Sequence, residues 1–282
     1  MAVRGRALGR LRGESRVIFQ AGSSRFGDAP WETSLRYLLI SDVHSNLEAL
    51  EACLGWADGQ YDRMLCLGDL VGYGPDPNAV IERLKLIAST IIRGNHDKAC
   101  SAPGLPEDFN SQARFAVAWT QRELRPPHAD FLRSLPPGPV QMEGFQIVHG
   151  SPRDEDEYIV GPGEARPLLE SPATQTVCFG HTHFQGGFML SRGGGFQAIR
   201  PPSIKDGMVL ALALEPQGRY LVNPGSVGQP RDGDWRAAFA ILDTRQERVE
   251  YFRASYDVAK TQEKMRRTGL PELLWVRLAH GR

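Results

Sequence analysis

Leu35-Arg36-Tyr37-Leu38-Leu39-Ile40-Ser41-Asp42-Val43-His44 runs an apolar segment directly into an Asp-x-His pair. The run has the length and composition of a buried strand, and the aspartate and histidine at its exit mark a loop that carries chemistry. The same junction recurs four times. Gly68-Asp69 follows a predicted strand at 62–67, Gly94-Asn95-His96-Asp97 follows 88–93, His149-Gly150 closes 144–149, and Gly180-His181-Thr182-His183 closes 175–180. Five of the seven histidines lie in these clusters. The carboxyl ends of strands are where an α/β sheet presents a site, because the loops there are free of the ladder and converge.

Between the strands, amphipathic segments predict helices from Asn46, with Ala49, Cys53 and Trp56 on one face, from Pro77, and from Ser111, with Phe115, Ala118 and Trp119 on one face. After residue 184 the pattern changes to strands between Gly/Pro turns, at 184–190, 196–199, 208–214, 219–222, 237–243 and 247–253. That change predicts a second, more antiparallel sheet. Two helical segments follow, Val258 to Arg267 and one from Pro271. The expectation is one α/β domain over residues 35–282, with two sheets packed face to face. Residues 1–34 lack a hydrophobic period and read as a disordered extension or an artefact of start-site choice.

With 33 basic and 33 acidic residues the net charge is near zero, so overall charge gives no case for a nucleic-acid partner. No apolar run approaches the roughly 18 residues that cross a bilayer, and the Arg-rich opening lacks the apolar core of a secretory signal. Cys53, Cys66, Cys100 and Cys178 are scattered without a CxxC pair and read as buried thiols in a reducing compartment. Cytoplasmic location is the expectation, with a small phosphorylated substrate as partner and no membrane.

Imidazole, carboxylate and one amide oxygen are the donors of a divalent transition-metal site. Each cluster also has a plainer reading. An Asp-x-His at a strand end is commonly a cap, Gly-Asp a turn, and a lone His149 a satisfied core residue. Their joint occurrence decides for metal, since an ordinary core has no reason to set so many polar groups beside apolar strands.

In order, the blocks read D-x-H, G-D, G-N-H-D, H and G-H-x-H, and the chain thereby resembles the calcineurin-like metallophosphoesterase superfamily. The turn Asn223-Pro224-Gly225-Ser226 extends the likeness to that superfamily's small prokaryotic phosphodiesterases. The resemblance implies a four-layer α/β/β/α sandwich of two mixed sheets flanked by helices. It implies that Asp42, His44 and His183 hold one metal, that Asn95, His149 and His181 hold another, and that Asp69 bridges them. The cofactors expected are two divalent ions, manganese first, with iron, zinc, cobalt or nickel admissible. A hydroxide shared by the pair would attack a phosphodiester or phosphomonoester. His96, in an extended turn, would protonate the leaving oxygen, and Asp97 would orient it or raise its pKa.

The likeness thins after Gly68-Asp69. Relatives that act on phosphoproteins or diadenosine tetraphosphate carry an arginine in the pattern G-D-x-x-x-R-G, and here Tyr73 stands in its place. Arg93, Arg153 and Arg231 are candidates to supply a guanidinium from elsewhere, each with a plain surface reading, and no substrate-binding residue is assigned. A dinucleoside polyphosphatase, a phosphoprotein phosphatase and a non-catalytic scaffold of the same fold stand as alternatives. A nucleotide is among the small phosphorylated substrates such a centre admits, and the sequence assigns no oligomeric state.

Overall fold

The computed structural model describes residues 34–171 and 175–282, so the expectation for the N-terminal extension lies outside the described residues apart from Ser34. In chain order the elements are β1 (Arg36–Ile40), α1 (Leu47–Ala57), β2 (Arg63–Cys66), α2 (Pro77–Ile87), β3 (Thr90–Ile91), α3 (Asn95–Ser101), α4 (Ser111–Glu123), α5 (Pro126–Ser134), β4 (Val140–Gln141), β5 (Gln146–Ile147), α6 (Pro162–Glu170) and β6 (Thr176–Cys178). They continue as β7 (Gly186–Leu190), β8 (Phe196–Ile199), β9 (Gly207–Ala213), β10 (Arg219–Asn223), β11 (Ala237–Asp243), β12 (Arg248–Ala254), α7 (Val258–Arg267) and α8 (Glu272–Val276), with a 3-10 turn over Arg277–His280.

The period-two alternation of β1 explains the layering. Leu38 and Ile40 point to the helix side, where they pack with Ala49, Leu50 and Cys53 of α1, while Tyr37 and Leu39 point the other way, among Phe145, Cys178, Tyr220 and Tyr251. β2 repeats the pattern, with Met64 and Cys66 on the helix side and Leu65 and Leu67 between the sheets. Outside the other sheet, Ala165, Leu168 and Leu169 of α6 pack on Val177, Phe188 and Leu221. Helix, sheet, sheet and helix therefore stack as four layers around one inter-sheet core.

Each sheet has six strands, ordered β3-β2-β1-β11-β12-β9 and β4-β5-β6-β10-β7-β8. Both are mixed: β1 runs parallel to β2 and antiparallel to β11, and β10 runs parallel to β6 and antiparallel to β7. This corrects the expected division into an early sheet and a late antiparallel one. β11 is buried along its whole length, so it needs partners on both edges and cover on both faces, and the central place beside β1 provides them.

Two helix faces also differ from expectation. Trp56 is 43% exposed and Phe115 44% exposed. The packed faces are formed by Ala49, Leu50, Cys53, Leu54 and Ala57 in α1, and by Ala113, Ala116, Val117, Trp119 and Thr120 in α4, so Ala49, Cys53 and Trp119 are buried as expected. All four cysteines are buried and free. Among the described residues no helix is long and apolar enough to cross a membrane.

Candidate metal centre

The loops that leave β1, β2, β3, β5 and β6 meet at one end of the sandwich, so ligands reach the same point from both sheets. Backbone bonds join the first two loops: His44 N–H donates to Asp69 O at 2.9 Å, and Ser45 N–H to Leu70 O at 2.9 Å. The turn after β10 ties the sheets together. Ser226 Oγ donates to Asp42 O at 2.8 Å, and Asn223 Nδ2 donates to Gly180 O at 2.9 Å and to Thr182 Oγ1 at 3.0 Å. Asn223-Pro224-Gly225-Ser226 thus acts as a brace beneath the ligand loops.

Asp42, His44, Asp69, His181 and His183 all have positive φ, between 47° and 67°. A non-glycine residue in the left-handed region is uncommon and costs on the order of 1–3 kcal/mol, so five together mark a site over-determined by its surroundings. His181-Thr182-His183 is accordingly not an extended segment. Its two imidazoles reach separate groups.

One group gathers Asp42, His44, Asp69 and His183, and the other Asp69, His149 and His181, with one donor atom from each residue within 4.8 Å of the others in its group. His44 Nε2 and His183 Nε2 stand 3.1 Å apart, and His183 Nε2 is 3.3 Å from Asp42 Oδ1. His149 Nε2 is 3.1 Å from His181 Nδ1 and 3.2 Å from Asn95 Oδ1. Asp69 Oδ2 lies between the groups, 3.5 Å from His44 Nε2 and 3.4 Å from His149 Nε2. Its other oxygen accepts the His96 N–H at 2.8 Å.

The four imidazoles are fixed from outside. His44 Nδ1 faces Val71 O at 3.0 Å, His149 Nδ1 faces Leu67 O at 2.8 Å, His183 Nδ1 faces Gln229 O at 2.6 Å, and His181 Nε2 faces Asp156 O at 3.1 Å. A carbonyl accepts only, so each outer nitrogen is a donor and each inner nitrogen is left for the centre, the arrangement of metal-bound histidine. Asp42 Oδ1 is buried without a hydrogen-bond partner among the described residues. A cation between these donors answers both facts.

Electrostatics agree. Burial pushes Asp42 up to about 7, opposed by His149 and reinforced by Asp69. Burial would also raise Asp69, but the surrounding imidazoles outweigh it and hold the carboxyl well below its usual range. His149, which burial alone would lower, is carried up to about 10 by the Asp69 carboxylate. Burial and the neighbouring His149 push His181 down to about 3. The metal-free cluster is thus short of positive charge at Asp42 and holds a proton at His149 where a cation can substitute.

His96 occupies the first turn of α3 and not an extended turn. Its ring lies 4.4 Å from Tyr73, 4.8 Å from Phe109 and 5.0 Å from His44, centroid to centroid. Burial lowers it to about 4, against the pull of Asp69 and with the push of Arg231, His149 and Arg277. Asp97 takes a job other than the expected one. Its Oδ1 accepts from Leu70 N at 2.9 Å and Val71 N at 3.2 Å, and its Oδ2 from Gly94 N at 3.0 Å, so it caps α3 and pins the Asp69 loop to it. Gly94 is required at the cap, because a Cβ there would collide with the Asp69 carboxylate.

A cleft of about 370 Å³ opens beside the centre, lined by Asn95, His96, Phe109, Tyr158 and His181 among others. Tyr158 is 48% exposed and its ring sits 3.7 Å from that of His181. Tyr73 is buried and packs its loop, although its edge borders the cleft. Of the three candidate arginines, Arg93 is bound by Glu155 through both carboxylate oxygens, at 2.9 and 3.0 Å, and Arg153 pairs with Glu157. Arg231 has no carboxylate partner among the described residues; it donates to Gln229 Oε1 at 2.9 Å. Arg277 joins the same oxygen at 2.7 Å. Sequence reasoning missed Arg277, and no local signal marks it, since it approaches the site only through the packing of the last helix.

Comparison with known proteins places this geometry. A calcineurin-like phosphoesterase superfamily domain matches residues 35–247. The uncharacterized protein MJ0912 of Methanocaldococcus jannaschii is 33% identical over 250 residues, covering 86% of this chain and 97% of that one. The crystal structure of a metallophosphoesterase from Sphaerobacter thermophilus superposes with a TM-score of 0.74 at 41% identity, covering 89% of this chain and 100% of that one. The hypothetical protein PH1004 of Pyrococcus horikoshii shares the fold with a TM-score of 0.67 at 20% identity, over 88% of this chain and 98% of its own. The buried Asp/His cluster at the strand ends of two mixed sheets thus sits in a chain that belongs to the calcineurin-like phosphoesterase superfamily.

Proposed function

We propose that the protein is a binuclear metal-dependent hydrolase of phosphate monoesters or diesters. The observation that carries this reading is the set of four imidazoles, each held by a backbone carbonyl on its outer nitrogen, with the inner nitrogens converging on Asp42 and Asp69. Asp42, His44 and His183 would hold one ion, Asn95, His149 and His181 the other, and Asp69 both. Manganese is the first candidate, and iron, zinc, cobalt and nickel suit the same donors. When bound, such a pair supplies positive charge to the phosphoryl group and acidifies water.

The chain's own residues do the rest. The leaving group would lie in the cleft beside His96, whose ring is neutral in the free site because burial has lowered it to about 4. It takes up a proton when phosphate charge enters, and passes that proton to the leaving oxygen. Phe109 and the exposed face of Tyr158 form walls on which a flat leaving group such as a nucleotide base can stack.

Turnover of an aryl phosphate monoester and an aryl diester by protein loaded with manganese, and its loss on chelation, is the direct test. No turnover of either by protein carrying two metals would refute the proposal. His96→Ala is expected to keep both metals and to lose about 10²- to 10⁴-fold on esters with poor leaving groups, with a much smaller loss on the activated aryl ester. Equal losses on both classes would take the proton-donor role from His96.

A further inference from the structure

Arg231 follows the Gln229-Pro230 turn, and Arg277 opens the C-terminal 3-10 turn, yet the two guanidiniums meet. Both lie over the ring of Tyr73, at 5.8 Å for Arg231 and 4.9 Å for Arg277, and both bind the Oε1 of Gln229. Two like charges side by side are costly, and the cost is visible: burial, followed by the nearby Arg231, pushes Arg277 down to about 10. Buried or half-buried arginines are normally answered by carboxylates. Here, among the described residues, neither has one, although Arg36, Arg236 and Arg253 elsewhere each have two.

Three further donors of the group are also unmet. Among the described residues, Arg231 Nε, Arg277 Nε and the buried Gln229 Nε2 have no hydrogen-bond acceptor. A cluster of donors without acceptors, carrying two positive charges, lacks an anion with several oxygens. Its position is equally specific. The Arg231 backbone N–H donates to His183 O, and the Arg231 charge acts on Asp42, His44, His96 and Tyr158. The group therefore adjoins the metal ligands, and the Tyr73 ring on which it rests also lines the cleft.

We infer that Arg231 and Arg277, aligned by Gln229 and Tyr73, form a clamp for the non-bridging oxygens of the substrate's phosphoryl group. A guanidinium offers two parallel N–H bonds to a pair of phosphate oxygens, and two guanidiniums held over one aromatic ring can fix the group's attitude towards the metals and His96. The clamp restores, from two remote parts of the chain, the charge that Tyr73 cannot provide in its own loop. It rests on the phosphoesterase reading for its substrate, but its donors call for a phosphate whatever the fate of that phosphate.

The test measures binding separately from turnover. Inorganic phosphate is titrated calorimetrically into manganese-loaded wild type, Arg231→Met and Arg277→Met, methionine being chosen to keep apolar packing on Tyr73 while removing the charge. Each variant is expected to bind phosphate about 10- to 100-fold more weakly, with two metals retained and an unchanged melting temperature. With an aryl phosphate, KM should rise more than kcat falls. Wild type that binds no phosphate, or variants that bind it within twofold of wild type, would overturn the clamp; a lowered melting temperature with unchanged phosphate affinity would reduce the pair to a packing role. Should the methionine variants unfold, glutamine at each position removes the charge with the same reading. Phosphate binding that depends on both arginines in a protein that hydrolyses no ester would sink the phosphoesterase proposal and leave the clamp standing.

Discussion

Asp69 is the residue on which both halves of the centre depend. One of its oxygens faces His44 and His149, while the other fixes the first turn of α3 through the His96 N–H. Asp69→Asn keeps the shape but removes the charge that would offset two cations, so metal content should fall from two to below one per chain and activity should nearly vanish. Elemental analysis showing two retained metals with ordinary turnover would remove Asp69 from the bridging role. The same carboxylate carries His149 up to about 10, so at pH 7 the metal-free site holds a proton there, with Asp42 near half-protonation at about 7. Metal loading at pH 7 should therefore release between one and two protons per chain, read from the buffer dependence of the binding enthalpy. The release should shrink as pH rises from 7 through 10, where Asp42 is already deprotonated and His149 is half so. A buffer-independent enthalpy would contradict this account.

At the scale of elements, α3 shows what a short helix does for a site. Asp97 joins its N-terminus to the loop after β2 by accepting three buried amide protons. Asp97→Ala leaves those amides unmet and should cost at least about 2 kcal/mol in urea unfolding of the metal-free protein. An unchanged midpoint with lost activity would restore Asp97 to a catalytic role. α3 was not legible in the sequence, because its seven residues begin with Asn-His-Asp, a triplet that also serves turns, and lack an apolar period. α5 and α6 escaped notice for a related reason: each begins at a proline in a Pro-rich stretch that mimics a loop. The ligand clusters and β1 were legible, since polar residues at the exit of an apolar run betray themselves locally. The allocation of late strands to two sheets was not, because β9 and β10 carry similar patterns and only pairing separates them.

For the whole molecule, the last stretch of chain is tied to the first loops. Leu270, Leu274 and Leu278 pack with Tyr73, Ala113, Ala116, Trp119 and Met265, and so hold Arg277 over Tyr73. Leu274→Ala should cost about 2–5 kcal/mol and should weaken phosphate binding without removing metal. Denaturant midpoints, metal content and phosphate titration on one sample would check this, and metal loss would show that the cluster supports the ligands directly. The central pairing of β1 with β11, Arg36 opposite Asp243 to Leu39 opposite Ala240, has a further effect during synthesis. At roughly 5–20 residues per second, the nascent chain waits on the order of 10–40 s between the appearance of β1 and that of its neighbour. Through that interval an apolar strand stands with one ladder edge open, a ready template for another chain. Yield in a cell should thus depend on holding chaperones and on translation speed across residues 41–236, well before any metal is bound.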